Sequence, residues 1–384
     1  MDKVRMGVIG VGGMGSHHAR YLLAGEIKRA ELTAVCDIDE SKLKGFAAVK
    51  TFTDSAELIR SGLVDAVLIA TPHYFHTTIG IDAMNNGLHL LTEKPIAVHK
   101  ADAERMIAAH AANPKLVFSA MFNLRTEPIW KKLKQLTDSG ELGEITRVNW
   151  IATDWFRTEA YYASGGWRAT WSGEGGGILL NQCPHNLDIM QWLFGVPSKI
   201  RAFLGFGFKH DIEVEDQVTA YLEYPNGATG AFIVTTCEAP GTDRLEVAGE
   251  RGKIVVERGK ISFTRNEVPM TEFSRTSKSG FSAPPVWHIE VPFGGGETGH
   301  QAITRNFVDA ILDGSPLIAP AEEGIKSIEM ANSMIYSQIK DVTVQLPLDS
   351  AAYEAALKDL IANSKFVKKS AVERDEDITT SFKK

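Results

Sequence analysis

Apolar residues in the first 120 positions come in short unbroken runs, separated by stretches with helical spacing. Val4–Gly10, Glu31–Asp37, Asp65–Thr71, His89–Thr92 and Leu116–Ala120 read as strands, with Thr51-Phe52 as a minor one. Met14–Ala24, Phe75–Asn86 and His99–Ala112 read as the helices between them, and Gly87 stands where a helix-ending glycine belongs. Apolar strands alternating with helices predict a parallel sheet covered on both faces, ending near residue 122.

The texture then changes. Pro128–Ser139 is an amphipathic helix closed by Gly140, and longer strand-like runs follow at Ile145–Trp155, Lys199–Phe208 and Val214–Tyr224. Pro225-Asn226-Gly227 turns the last of these into Thr229–Cys237, and Gly249–Gly252 joins Leu245–Ala248 to Lys253–Glu257. Lys260–Arg265 adds a strand, and Asn186–Phe194 is a helix among them. Residues 266–298, rich in Ser, Pro and Gly, read as a loop. Gln301–Leu312, Glu323–Lys340 and Tyr353–Ala362 read as helices. The predicted class is α/β: a doubly wound parallel sheet over residues 1–122, then an α+β domain with a largely antiparallel open sheet over 123–364. A charged tail, 365–384, is expected to fray.

Composition narrows the function. The chain has 384 residues, 44% hydrophobic and 23% charged, which excludes wholesale disorder and rod-like folds. A net charge of −7 offers no basic surface to a nucleic acid. Cys36, Cys183 and Cys237 show no CxxC spacing, so neither a disulfide framework nor a zinc site is expected, and a reducing compartment fits. The N-terminus lacks a signal-peptide core, and no apolar stretch approaches the ~20 residues of a membrane span. The expectation is a cytoplasmic protein with no membrane partner. His17-His18 and His73…His76 match no metal motif, so no metal is expected.

Gly10-Val11-Gly12-Gly13-Met14-Gly15 is a GxGxxG loop lying directly between the first strand and first helix. In that position Gly10 permits the turn, Gly12 admits a pyrophosphate, Gly15 lets helix and strand pack, and the helix N-terminus offers free N–H groups. Asp37, ending the second strand, is placed to accept from an adenosine ribose and to repel a 2′-phosphate, which favours NAD over NADP. A plain turn-capping role for Asp37 is the simpler alternative.

Two further stretches carry chemistry. Glu93-Lys94-Pro95 closes a parallel strand, where ligands of such sheets bind, so Lys94 falls near the nicotinamide; a surface charge is the bland alternative. Gly175-Gly176-Gly177 leads to Asn181, His185 and Asp188 at a helix start. His185 suits acid–base work, with a cap or packing role as its alternative. Asp188 would orient that imidazole or favour the helix N-terminus.

Together these segments resemble the Gfo/Idh/MocA family of glucose–fructose oxidoreductase, inositol dehydrogenase and rhizopine-catabolism proteins, over about residues 4–350. The resemblance rests on the glycine loop, Ala70-Thr71-Pro72 with His76, Glu93-Lys94-Pro95, and the glycines leading to His185 and Asp188. It implies a Rossmann domain followed by a substrate domain whose open sheet forms homodimers or homotetramers. It also implies hydride transfer between NAD and a secondary alcohol of a sugar, glycoside or cyclitol. Lys94 matches the family lysine and His185 the catalytic histidine, while Thr71, Pro72, His76 and Glu93 join the cofactor site. Many relatives carry Asp where this chain has Asn181; asparagine hydrogen-bonds a substrate hydroxyl but takes no proton. Trp155, Arg157, Tyr161, Trp167 and Arg168 resemble a branch acting on pyranoses, and aromatics mixed with arginine suit a sugar ring. Asn123 and Arg125 are expected to face the same cleft. Two rivals stay open: an NAD-dependent glycosidase using transient oxidation, and a non-catalytic nucleotide- or sugar-sensing protein.

Overall fold

The computed structural model describes residues 2–368; the part of the expected tail from 369 to 384 lies outside them. The N-terminal runs become β1 (Val4–Ile9), β2 (Ala30–Cys36), β3 (Lys50–Phe52), β4 (Ala66–Ile69), β5 (His89–Thr92) and β6 (Phe118–Ala120). They form a wholly parallel sheet in the order β3-β2-β1-β4-β5-β6. The order reverses between β1 and β4, the place beyond whose carboxyl ends such sheets bind ligands. β4 is buried at every position, as an unbroken apolar run requires.

The second sheet contains β7 (Ile145–Ala152), β8 (Lys199–Phe206), β9 (Glu215–Glu223), β10 (Thr229–Thr235), β11 (Asp243–Gly249), β12 (Gly252–Glu257), β13 (Lys260–Asn266), β14 (Val286–Val291) and β15 (Val344–Gln345). Its order is β14-β13-β12-β11-β7-β10-β9-β8-β15, with β7 and β10 parallel and the other neighbours antiparallel. The predicted β9–β10 hairpin turns through Gly227 at φ +85°. One face of this sheet carries the core, with Trp150, Phe232, Leu222 and Val247 against Leu187, Met190 and Met334.

Two expectations are corrected. Residues 266–298 are not all loop: Met270–Thr276 is a helix, and Val286–Val291 is the edge strand β14 paired with β13. Within β14 only Val291 is buried, so main-chain pairing rather than apolar burial defines it, and composition carried no sign of that. The start of the tail is also held: Lys368 Nζ donates to the carbonyls of Gly165 and Arg168, at 2.6 and 2.7 Å.

The chain does not stay in its second half after residue 122. Helix Gly299–Asp313 returns to the first core, where Ile303, Phe307 and Val308 join its buried cluster and the helix packs on β1 and β5. That return places His300 beside the first helix of the nucleotide domain.

Candidate active site

The glycine loop divides its labour. Gly10 sits at φ +87°, and a Cβ there would stand 2.8 Å from the Ala70 carbonyl oxygen. A Cβ on Gly15 would stand 1.6 Å from the Gly10 oxygen, so helix Gly13–Leu23 can approach the strand only through glycine. A Cβ on Gly12 would meet nothing within 4 Å; that side of the loop is open. Gly13 and Met14 begin the helix, whose first N–H groups have no partner within it. Asp37 Oδ2 accepts from Val11 N at 2.9 Å, and its other oxygen accepts from Asp39 N at 3.0 Å. The carboxylate thus braces the loop from the end of the second strand. Thr71, at the end of β4, holds a buried hydroxyl without a hydrogen-bond partner. Both ring nitrogens of His76 lie 2.8 Å from backbone carbonyls, those of Pro95 and Thr71, tying together the ends of β4 and β5; Pro72 caps their helix, His73–Asn85. An open cradle at Gly12, free helix N–H groups and a carboxylate at the second strand fit a dinucleotide.

Lys94 and His185 converge. Lys94 Nζ donates to the backbone carbonyl of Asn181 at 2.7 Å. Burial lowers the Lys94 pKa, with Glu93 opposing and Arg168 adding to the fall. His185 lies in the first turn of helix Pro184–Phe194. Burial first, then the Lys94 charge, holds its pKa well below the ordinary value, so the ring is neutral near pH 7. Its Nδ1 is buried without a hydrogen-bond partner.

Behind Lys94 runs a polar chain. Glu93 Oε2 accepts from Lys94 N at 3.1 Å, Oε1 meets His18 Nε2 at 2.7 Å, His18 Nδ1 meets the Tyr21 hydroxyl at 2.8 Å, and Tyr21 meets Thr304 at 2.7 Å. Burial alone would raise the Glu93 pKa, but the His18 hydrogen bond and the neighbouring positive charges hold it well below the usual range. The His300 ring lies 5.7 Å from that of His17 and 5.5 Å from that of His18, and burial pushes its pKa down to about 4. Its charged form would act on His185. From the sequence His300 could equally reach the substrate or cap its helix, because a histidine opening a helix 115 residues downstream of His185 carries no local mark of its target.

The aromatic–arginine segment arrives from the end of β7. Arg157 lies over the rings of Trp155 and Tyr161, and Arg168 over those of Tyr161 and Trp167. The Trp167 ring stands 5.3 Å from that of His73. The Tyr161 hydroxyl accepts from Arg168 Nη1 at 2.9 Å and from Gln182 Nε2 at 3.0 Å, and donates to Asn181 Oδ1 at 3.1 Å. Asn181 Nδ2 in turn donates to Glu174 Oε1. The side chain of Asn181 is therefore held at both ends within the protein, and the residue reaches Lys94 through its main chain.

Arg125 does not line the cleft. Its guanidinium is buried, with two donors on Asp188 at 2.8 and 2.6 Å and another on Glu323 at 2.5 Å. The same pair removes Asp188 from His185. A charged arginine in a sequence signals binding and burial alike, and only the position of Asp188 separates them. Asn123 keeps a buried Oδ1 without a partner. Among the described residues His210, Asp216 and Cys237 form a cluster of metal-ligand type. The Asp216 carboxylate, however, accepts from the N–H groups of Phe208, Lys209 and His210 and meets His210 Nδ1 at 2.9 Å. Burial also pushes the Cys237 thiol up to about 11, so the cluster reads as a hydrogen-bonded turn lock.

The fold and the glycine cradle define an NAD-binding oxidoreductase. Residues 4–121 match the model of the oxidoreductase family with an NAD-binding Rossmann fold, and 130–255 match a GFO/IDH/MocA C-terminal domain. The chain is 33% identical over 256 residues to the inositol 2-dehydrogenase of Salmonella typhimurium, covering 65% of this chain and 72% of that protein. It is 28% identical over 261 residues to the myo-inositol 2-dehydrogenase of Thermotoga maritima, covering 65% and 74%. Its structure is similar to the WlbA dehydrogenase of Chromobacterium violaceum in complex with NADH and UDP-GlcNAcA, with a TM-score of 0.78, 27% identity and coverage of 91% and 97%. The chain belongs to the Gfo/Idh/MocA family.

Proposed function

We propose that the protein oxidises a secondary alcohol of a cyclitol or sugar with NAD, and that Lys94 and His185 handle the hydroxyl proton. The observation that carries this reading is the convergence of an ammonium and a neutral imidazole just past the carboxyl end of β5. Bound there, NAD supplies the hydride acceptor. Lys94 uses one ammonium hydrogen on Asn181 and directs the others toward the substrate oxygen, stabilising negative charge as it develops. His185, neutral and with Nδ1 unspent, takes the proton. In the reverse direction the roles invert. Tyr161 and Arg168, with Trp155, Arg157 and Trp167, form the wall against which the ring packs.

The names of the relatives support inositols and sugars as the substrate class. The outer face of the second sheet, where Phe203 is 60% and Tyr221 49% exposed, supports a homodimer or homotetramer built through that sheet. Cytoplasmic residence is supported by three free cysteines. No helix among the described residues is long and apolar enough to cross a membrane.

The test is a panel of inositols, sugars and glycosides with NAD, followed at 340 nm, beside Lys94→Ala and His185→Ala. Each variant should lose about 100-fold or more in kcat while still binding NAD. Near-normal turnover in both would reject the assignment. Sugar release from a glycoside without net NADH would favour the glycosidase alternative.

A further inference from the structure

We infer that Glu174 supplies a second negative charge, beside that of Glu93, to the Lys94–His185 centre and, through Asn181, holds the contact that Lys94 makes. The inference deepens the dehydrogenase reading and rests on it for its catalytic part. Glu174 lies just before the glycines that lead to His185 and is 2% exposed. Its Oε1 accepts from Asn181 Nδ2 and its Oε2 from Ala169 N, the latter at 2.7 Å. Its backbone oxygen lies 3.4 Å from His73 Nδ1. The cations that face the carboxylate are Arg168, Lys94 and Lys368; Glu215 and Tyr162 also feel its charge.

Valence sets the direction of the network. Arg168 has only donors, so the Tyr161 oxygen accepts from it, and Gln182, which turns its Nε2 to the same oxygen, donates there too. The single Tyr161 hydrogen then goes to Asn181 Oδ1, which leaves Asn181 Nδ2 as a donor. Glu174 receives it; burial raises the Glu174 pKa, while the Arg168 charge and the two accepted hydrogen bonds act the other way and favour the carboxylate. An aspartate at 181 would set carboxylate against carboxylate, and one of the two would have to keep a proton. Asparagine at 181 and glutamate at 174 therefore form one unit, in which the charge has moved one side chain outward. From there it opposes the effect of burial on Lys94, keeping the ammonium protonated as the group that polarises the substrate oxygen. Glu174 is a positioning residue: it acts on substrate through Asn181 and Lys94.

The test compares Glu174→Gln, Glu174→Asp and the double variant Glu174→Gln/Asn181→Asp in the full chain. Lys94 is titrated by carbon-13 NMR of its side chain without cofactor, and kcat/KM for myo-inositol with NAD is followed against pH. Glu174→Gln should lower the Lys94 titration by about one pH unit and reduce kcat about tenfold with KM for NAD unchanged. Glu174→Asp, which keeps the charge, should hold the Lys94 titration close to wild type. The double variant, which returns the charge to position 181, should restore both readouts to within about threefold of wild type. An unmoved Lys94 titration in Glu174→Gln, a double variant no better than that single one, or a Glu174→Asp shift as large as that of Glu174→Gln would overturn the proposal. A wild-type enzyme inactive on every polyol would sink the dehydrogenase reading instead, and the Lys94 titration would still decide the role of Glu174.

Discussion

Lys94 Nζ lies 2.7 Å from the Asn181 carbonyl oxygen, across 87 positions of chain, and so joins the strand end of the nucleotide domain to the segment that delivers His185. The ammonium depresses the imidazole pKa, and burial depresses both.

That coupling predicts a shift. His185 must be neutral to accept a proton, so activity in the oxidation direction should fall only below the ordinary histidine range of about 6.5. Lys94→Met removes the neighbouring positive charge, and the His185 titration should move upward. Proton NMR of the imidazole in both proteins checks this; a downward or absent shift would show that the two groups do not share an environment.

Two glycines of one motif should fail differently. Gly12→Ala meets open space, so the melting temperature should stay near wild type while NAD affinity falls about tenfold or more. Gly15→Ala drives a Cβ into the Gly10 carbonyl and should cost about 3 kcal/mol of stability or more. Thermal melts beside NAD titrations by fluorescence separate the two effects.

The buried pair of Arg125 and Asp188 predicts a stability phenotype. Asp188→Ala leaves a buried guanidinium without its two-point partner, at a cost of roughly 3–5 kcal/mol. Urea unfolding should show that loss, while KM for substrate stays near wild type in the folded fraction. A collapse of kcat/KM at unchanged stability would return Arg125 to the substrate cleft.

Glu215 should make stability fall as pH rises. Its carboxyl is fully buried, Oε1 accepts from Gly177 N and Leu179 N, Oε2 has no hydrogen-bond partner, and burial raises its pKa to about 7. A carboxyl whose folded pKa lies above its unfolded value favours folding below the unfolded pKa, and that contribution is lost as pH rises through about 7. Glu215→Gln should flatten the dependence of melting temperature on pH between about 4.5 and 7. An identical slope in the two proteins would contradict it.

Legibility varied with range. The GxGxxG loop, Asp37 and the strand ending at Glu93 could be read directly because each function there lies within one turn of its own element. β14 was hidden because an exposed edge strand is held by main-chain pairing and lacks a buried stripe. Arg125, expected at the cleft, lies buried on Asp188, and neither the place of His300 nor that of Glu174 was legible, because a charged side chain declares its need for a partner but not where the partner stands.

The amino-acid order alone therefore determined the parallel nucleotide domain and its cofactor, since local spacing and strand ends set those. Tertiary structure alone decided which charges meet. It buried Arg125 against Asp188, brought His300 back onto the first domain, and put Glu174 behind Asn181. Such meetings depend on burial and on distances of a few ångströms between segments far apart in the chain, and no periodicity records them.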